Sequence, residues 1–257
     1  MSIKHTPLVA AILVTMATAT SAYASPNLVT NGGFESANSY GQLSGPGYSG
    51  ANVTGWANAS VFNFGSWRPA YNFLFNSSNV TTGVNGEFGP LALHGPVSPS
   101  SNGGNFMGFD GDFEAGRISQ TIHGLTVGEH YTLSFNWGAA QQSTYGGATT
   151  EKMTATLGGV SQTTNTVDLP SGTFGGWLAQ SFDFTATSTN EVLSFLATGK
   201  PAGLPPFAVL DGVSLTVAVP VPPVVPVPAA VPVPAALPLM ASGLIGLFGL
   251  RRRKNTK

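Results

Sequence analysis

An all-β sandwich is the fold class that residues 25 to 219 predict. Three observations carry it: apolar runs are short and rich in Val, Thr, Phe and Leu, clusters of Gly, Asn, Ser and Pro punctuate them, and no long 3.6-residue period competes. Short strands at regular spacing in one domain stack as a sandwich rather than as βαβ units. There is no cysteine to staple the fold, so its stability rests on the core.

The elements follow in chain order. Residues 1–24 read as a signal peptide: Lys4 and His5 precede an apolar run from Leu8 to Thr20, and "AYA" at Ala22–Ala24 places small residues where signal peptidase needs them. Residues 25–219 form the sandwich domain. Within it, the stretch from Gly41 to Gly116 is crowded with loop-forming residues and isolated aromatics, the composition of long loops on a rigid scaffold, where binding surfaces sit; the same aromatics serve equally well as caps on the core. The clearest strand is "HYTLSFNW", which alternates Tyr131, Leu133, Phe135 and Trp137 on one face with His130, Thr132, Ser134 and Asn136 on the other. "MTATLGG" at 153–159, "QSFDFTA" with Phe182 and Phe184, "EVLSFLATG" at 191–199 and "AVLDGVSLTVAV" at 208–219 read the same way.

After Val219 the composition changes. Residues 220–234 are rich in Pro, Val and Ala, and this spacing of prolines predicts a stiff, extended spacer. In the tail, 235–257, residues 237–250 are apolar except for Ser242 but few for a full span, which predicts a short hydrophobic helix; residues 251–257 form a basic tip that the positive-inside rule keeps in the cytoplasm. A brief apolar hold behind a proline hinge and ahead of a basic stop suits an enzyme-read sorting signal.

Charge is distributed unevenly. Residues 25–219 hold Arg68, Arg117, Lys152 and Lys200 against all eleven acids, a net charge of −7, so no basic stripe is available to neutralise phosphates and nucleic acid is not an expected partner. No nucleophile elbow, thiol nucleophile, zinc-binding histidine pattern or phosphate loop is recognisable, which points away from an enzyme. The acidic knot "FDGDFEAG", with Asp110, Asp112 and Glu114, lacks the frame of a calcium loop and is expected to be a solvated loop.

Two resemblances add to these readings. The phrase "VPVPAA", the stretch "GLIGLFGL" and the arginines resemble the PEP-CTERM sorting signal of Gram-negative bacteria, in the variant with a hydrophobic residue, here Val233, between the prolines. That implies recognition at Val233, Pro234, Ala235 and Ala236, a stop at Arg251, Arg252 and Arg253, transient hold in the inner membrane, and processing by an exosortase before release to the cell surface or biofilm matrix. The opening "NLVTNGGFES" and "GW" and the closing "LPPFAVLDGVSL" resemble the galactose-binding-like jelly roll shared by several carbohydrate-binding modules. The resemblance implies a structural calcium ion held by Glu35 and Asp211, with Gly32, Gly33 and Gly212 allowing tight turns beside them.

The expected function is a non-enzymatic domain that binds or organises extracellular polysaccharide, with Trp67, Tyr71, Trp56 and Trp177 as the rings that stack on sugars. Trp56 and Trp177 have an equally weighted role in the core. A ligand-free structural matrix protein is the alternative reading, and a glycan-acting hydrolase the third.

Overall fold

The computed structural model describes residues 25 to 219 except 96, 99 and 101. The signal peptide, spacer, hydrophobic segment and sorting signal with Val233, Pro234, Ala235, Ala236 and Arg251–Arg253 lie outside the described residues. Among the described residues every element is a strand, and no helix is long and apolar enough to cross a membrane.

Fourteen strands form among the described residues: β1 (Gly41–Gln42), β2 (Ala57–Asn58), β3 (Ser60–Asn63), β4 (Ser66–Pro69), β5 (Asn72–Asn76), β6 (Asn105–Asp110), β7 (Ile118–His123), β8 (His130–Gln141), β9 (Thr149–Leu157), β10 (Val160–Thr163), β11 (Val167–Leu169), β12 (Leu178–Thr185), β13 (Asn190–Lys200) and β14 (Pro206–Val217). One sheet runs β1-β5-β6-β14-β8-β12 and the other β10-β9-β13-β7-β2, with β11 also on β9; β3 and β4 make a separate hairpin. All pairings between these strands are antiparallel.

The alternation seen in the sequence becomes the core between the sheets. Tyr131, Leu133, Phe135 and Trp137 on β8 meet Met153, Ala155 and Leu157 on β9 and Leu193, Phe195 and Ala197 on β13. Each of the leucines, phenylalanines and Met153 contributes roughly 1.5–3 kcal/mol through apolar area removed from water. Four of the sequence-predicted strands are central members of these sheets, β8, β9, β13 and β14; the fifth, β12, closes the edge of the larger one.

The stretch from 41 to 116 departs from a simple loop. It supplies β1 to β6, and Phe73, Phe75 and Phe106 join Phe207 and Val209 in a second apolar cluster that Val80, Val84, Leu91, Leu93 and Val97 complete. This cluster lies on the residues that alternate with those of the main core, so β5, β6 and β14 are buried on both faces. Near the end of β14 the incoming chain joins the sandwich: Leu28 N–H donates to the Leu215 carbonyl at 2.9 Å and the Asn27 side chain accepts from Leu215 N–H at 3.0 Å.

Candidate functional site

Register brings several strand ends together. Asn72 at the start of β5 is opposite Phe109, Asp110 at the end of β6 is opposite Phe207, and Gln141 at the end of β8 is opposite Pro206. The segments leaving these strands at this end of the larger sheet enclose a cleft of about 470 Å³, lined by Tyr71, Phe88, Pro90, Asp110, Asp112, Phe113, Gln142, Tyr145, Gly203 and Pro205.

One wall is aromatic. Tyr71 and Phe113 meet edge to face at 5.3 Å and 90°, Phe88 and Phe113 at 5.4 Å and 74°, and Tyr71 and Phe88 at 5.8 Å. Mutually tilted rings lock one another and present both faces and edges to the cleft. The other groups are acidic. Asp110 is 1% exposed; its Oδ1 accepts the N–H groups of Asp112 and Phe113, both at 2.9 Å, while Oδ2 has no hydrogen-bond partner. Burial pushes the Asp110 carboxyl up to about 7 against the pull of those two bonds, and the charges of Asp112 and Glu114 add to the rise. Asp112 is exposed, and its Oδ2 accepts Gly203 N–H at 3.2 Å, which ties the β13–β14 connection to the cleft rim.

Behind this wall stands the β3–β4 hairpin. Arg68 pairs with Glu87 at 2.6 Å and Glu114 at 3.0 Å, and its guanidinium sits 4.8 Å from the centre of the Phe88 ring. Burial raises the Glu114 carboxyl and Arg68 opposes the rise. The hairpin turns on Phe64 and Gly65, at φ 48° and 77°, the left-handed pair of a tight hairpin turn. Val61 and Arg68 form one cross-strand pair and Phe62 and Trp67 the next, so the two pairs face opposite ways. Phe62, Phe64 and Trp67 are 64%, 71% and 61% exposed.

The four rings expected to stack on sugars thus separate. Tyr71 lines the cleft although it is mostly buried, and Trp67 stands on the exposed side of the hairpin against Phe62. Trp56 takes its core role instead: it is buried between Phe34 at 5.3 Å and Phe195 at 6.2 Å, with its indole N–H on the Asn31 carbonyl, and offers no free face. Trp177 packs edge-on against Phe106 and Phe174 and donates to the Ser98 carbonyl at 2.7 Å, so it caps the second apolar cluster. The acidic knot is not a solvated loop, because Asp110 and Glu114 turn inward from the end of β6.

Glu35 and Asp211 do come together. Asp211 is buried at a bulge in β14, where its Oδ2 accepts the Ser100 hydroxyl and its Oδ1 the Gly212 N–H at 2.6 Å. Burial pushes its carboxyl up to about 6, with the Glu35 charge contributing. Glu35 Oε1 accepts Asn105 N–H at 2.8 Å. A Cβ on Gly33 would approach Asn102 Nδ2 to 2.4 Å and displace that side chain, and one on Gly104, at φ 66°, would overlap Glu35, so glycine is required at 104. Two carboxylates and a hydroxyl are hard oxygen donors of the kind that fit calcium. Among the described residues, however, no three acids, histidines or cysteines are grouped, so the rest of a calcium shell would be neutral oxygens.

Phe88, Phe113, Tyr145, Asp110 and Gln142 escape a reading of the sequence alone. They come from separate segments, and only the Asp-x-Asp-Phe of the acidic knot carried any local signal. No protein-family model matches this sequence and no curated protein does. Solved structures to which the chain is similar include several carbohydrate-binding modules and a bacteriophage tailspike domain. They include TmCBM61 in complex with β-1,4-galactotriose (14% identity, 76% of this chain and 100% of that one, TM-score 0.41). A structure described as "CBM4 structure and function" follows (15%, 74% and 99%, TM-score 0.33), with a family 35 module from an environmental isolate (16%, 57% and 93%, TM-score 0.31). These likenesses are loose, and the sandwich described above stands on its own strand order.

Proposed function

We propose that this protein is an exported, non-catalytic glycan-binding module, built on a galactose-binding-like jelly roll and carried by an exosortase-read tail to the cell surface or biofilm matrix, where it holds extracellular polysaccharide. The observation that carries the binding role is the cleft, which sets Tyr71, Phe88, Phe113 and Tyr145 beside Asp112 and Gln142. Rings cover the apolar C–H faces of pyranoses while a few polar groups fix their hydroxyls. The non-catalytic reading is supported by Asp110, whose unpaired oxygen is closed off from solvent, and by the two aspartates standing on one turn rather than facing each other across the cleft. We keep a structural calcium at Glu35 and Asp211, with the Ser100 hydroxyl as a neighbouring oxygen donor.

A glycan array with the purified protein tests the binding role. Retention of at least one polysaccharide, lost on Tyr71→Ala and Phe88→Ala, is expected. Failure to retain any glycan, with or without calcium, together with self-association, would replace it with the structural-matrix reading. For the tail, mass spectrometry of the surface fraction is expected to find a C-terminus before residue 257.

A further inference from the structure

We infer that the cleft is built for a glycan that carries protonated amines, a chain of 2-amino-2-deoxy pyranoses, and that it rejects chains of uronic acids; this rests on the glycan-binding reading and narrows it.

The charges around the cleft are one-sided. Asp110 and Asp112 line it, and Glu87 and Glu114 stand behind its aromatic wall. Among the described residues, Arg68 is the only Lys or Arg that contacts this wall, and both carboxylates behind it hold that guanidinium. Arg117 instead reaches Thr156 and Ser194, Lys152 and Lys200 border a separate depression with Thr166 and Thr198, and His94 is held by the Tyr145 carbonyl. A uronate entering the cleft would therefore meet carboxylates with no cation free to answer it, which costs affinity through both repulsion and desolvation.

Two further features favour a cation. Rings attract positive charge on their faces, and here the guanidinium 4.8 Å above Phe88 shows that this wall accepts one from behind. Inside the wall, Asp110 is 1% exposed and its Oδ2 is without a hydrogen-bond partner. A buried acid in that position is stabilised in its charged form by an ammonium group placed in the cleft, and a neutral hydroxyl supplies much less. Asp112, exposed at the rim with one oxygen committed to Gly203, leaves its other oxygen to receive the amine directly.

Calorimetric titration with glucosamine oligomers, N-acetylglucosamine oligomers of the same linkage and length, and galacturonate oligomers tests this. The free-amine chain is expected to bind roughly tenfold more tightly than its acetylated twin, with the gap closing in high salt and no binding of the uronate. Asp112→Asn, which keeps an acceptor for Gly203, should shrink the gap while leaving the acetylated chain's affinity in place; Asp110→Asn, which keeps its turn bonds, provides a second variant. Equal or better binding of the acetylated or uronate chain overturns the inference. So does failure of all three chains while another glycan is retained on the array, and that outcome leaves the binding role standing. Retention of no glycan at all removes both.

Discussion

Trp56 and Trp67 show how much a residue's meaning depends on what closes around it. Trp56 has an aromatic ring on either side and a satisfied indole N–H, so Trp56→Ala should lose about 3–5 kcal/mol, read as a large drop in urea midpoint. Trp67→Ala, at an exposed site, should stay within about 0.5 kcal/mol. Buried acids behave differently. Glu151 points inward on β9, where burial pushes its carboxyl to about 7, the level that Asp110 also reaches. Raised values mean that the folded state holds these protons more tightly than the unfolded chain. Their contribution to stability is therefore complete below the ordinary carboxylate range and is lost as pH climbs through 7. Melting temperature should fall between pH 5 and pH 8, and Glu151→Gln should recover part of the fall, by at least ~3 °C at pH 8.

At the scale of elements, the β3–β4 hairpin is the least expected piece. Phe64 occupies a left-handed position that favours glycine, at a cost of order 1 kcal/mol, and does so at a tip where 71% of it faces water. Phe64→Gly should raise the melting temperature slightly. If the tip also touches ligand, the same variant lowers glycan retention, and the two readouts together separate turn strain from binding. What the sequence made legible was period: β8, β9, β12 and β13 declared themselves by alternation because one face of each is wet over much of its length, and β14 did so through its second half, from Gly212 onward. β6 did not, since all six of its residues are buried and its run "NFMGFD" has no polar phase to mark a face. For the same reason the acidic knot looked solvated, although its strand delivers Asp110 into a closed wall. Tyr71 was legible as a loop aromatic, but Phe88, Phe113 and Tyr145 become its neighbours only through the register of β5, β6, β8 and β14, which no local pattern encodes. The glycines of "NGG" were legible as turn formers, but what crowds them, the Val213 carbonyl against Gly32 and the Asn102 side chain against Gly33, comes from distant parts of the chain.

Over the whole molecule, acidity is the dominant balance. Eleven acids against four bases in residues 25–219, four of those acids with raised carboxyls, leave a body that a divalent cation should strengthen. If Glu35 and Asp211 hold calcium, millimolar calcium should raise the melting temperature and a chelator should reverse it, whereas Asp211→Asn should abolish the difference. Strand order adds a mechanical consequence. β14 runs from Pro206, next to the cleft, to Val217, next to the point where the chain leaves for residue 220 onward, and it is flanked by β6 and β8 with the incoming segment at Leu28 bonded to its far end. Twelve residues at about 3.3 Å each put roughly 40 Å between the two ends. If the cleft holds a glycan, tension between it and the C-terminus would run lengthwise along one interior strand, straining its neighbouring hydrogen bonds in parallel, like a rope pulled between two hands, rather than peeling the sheet open one bond at a time.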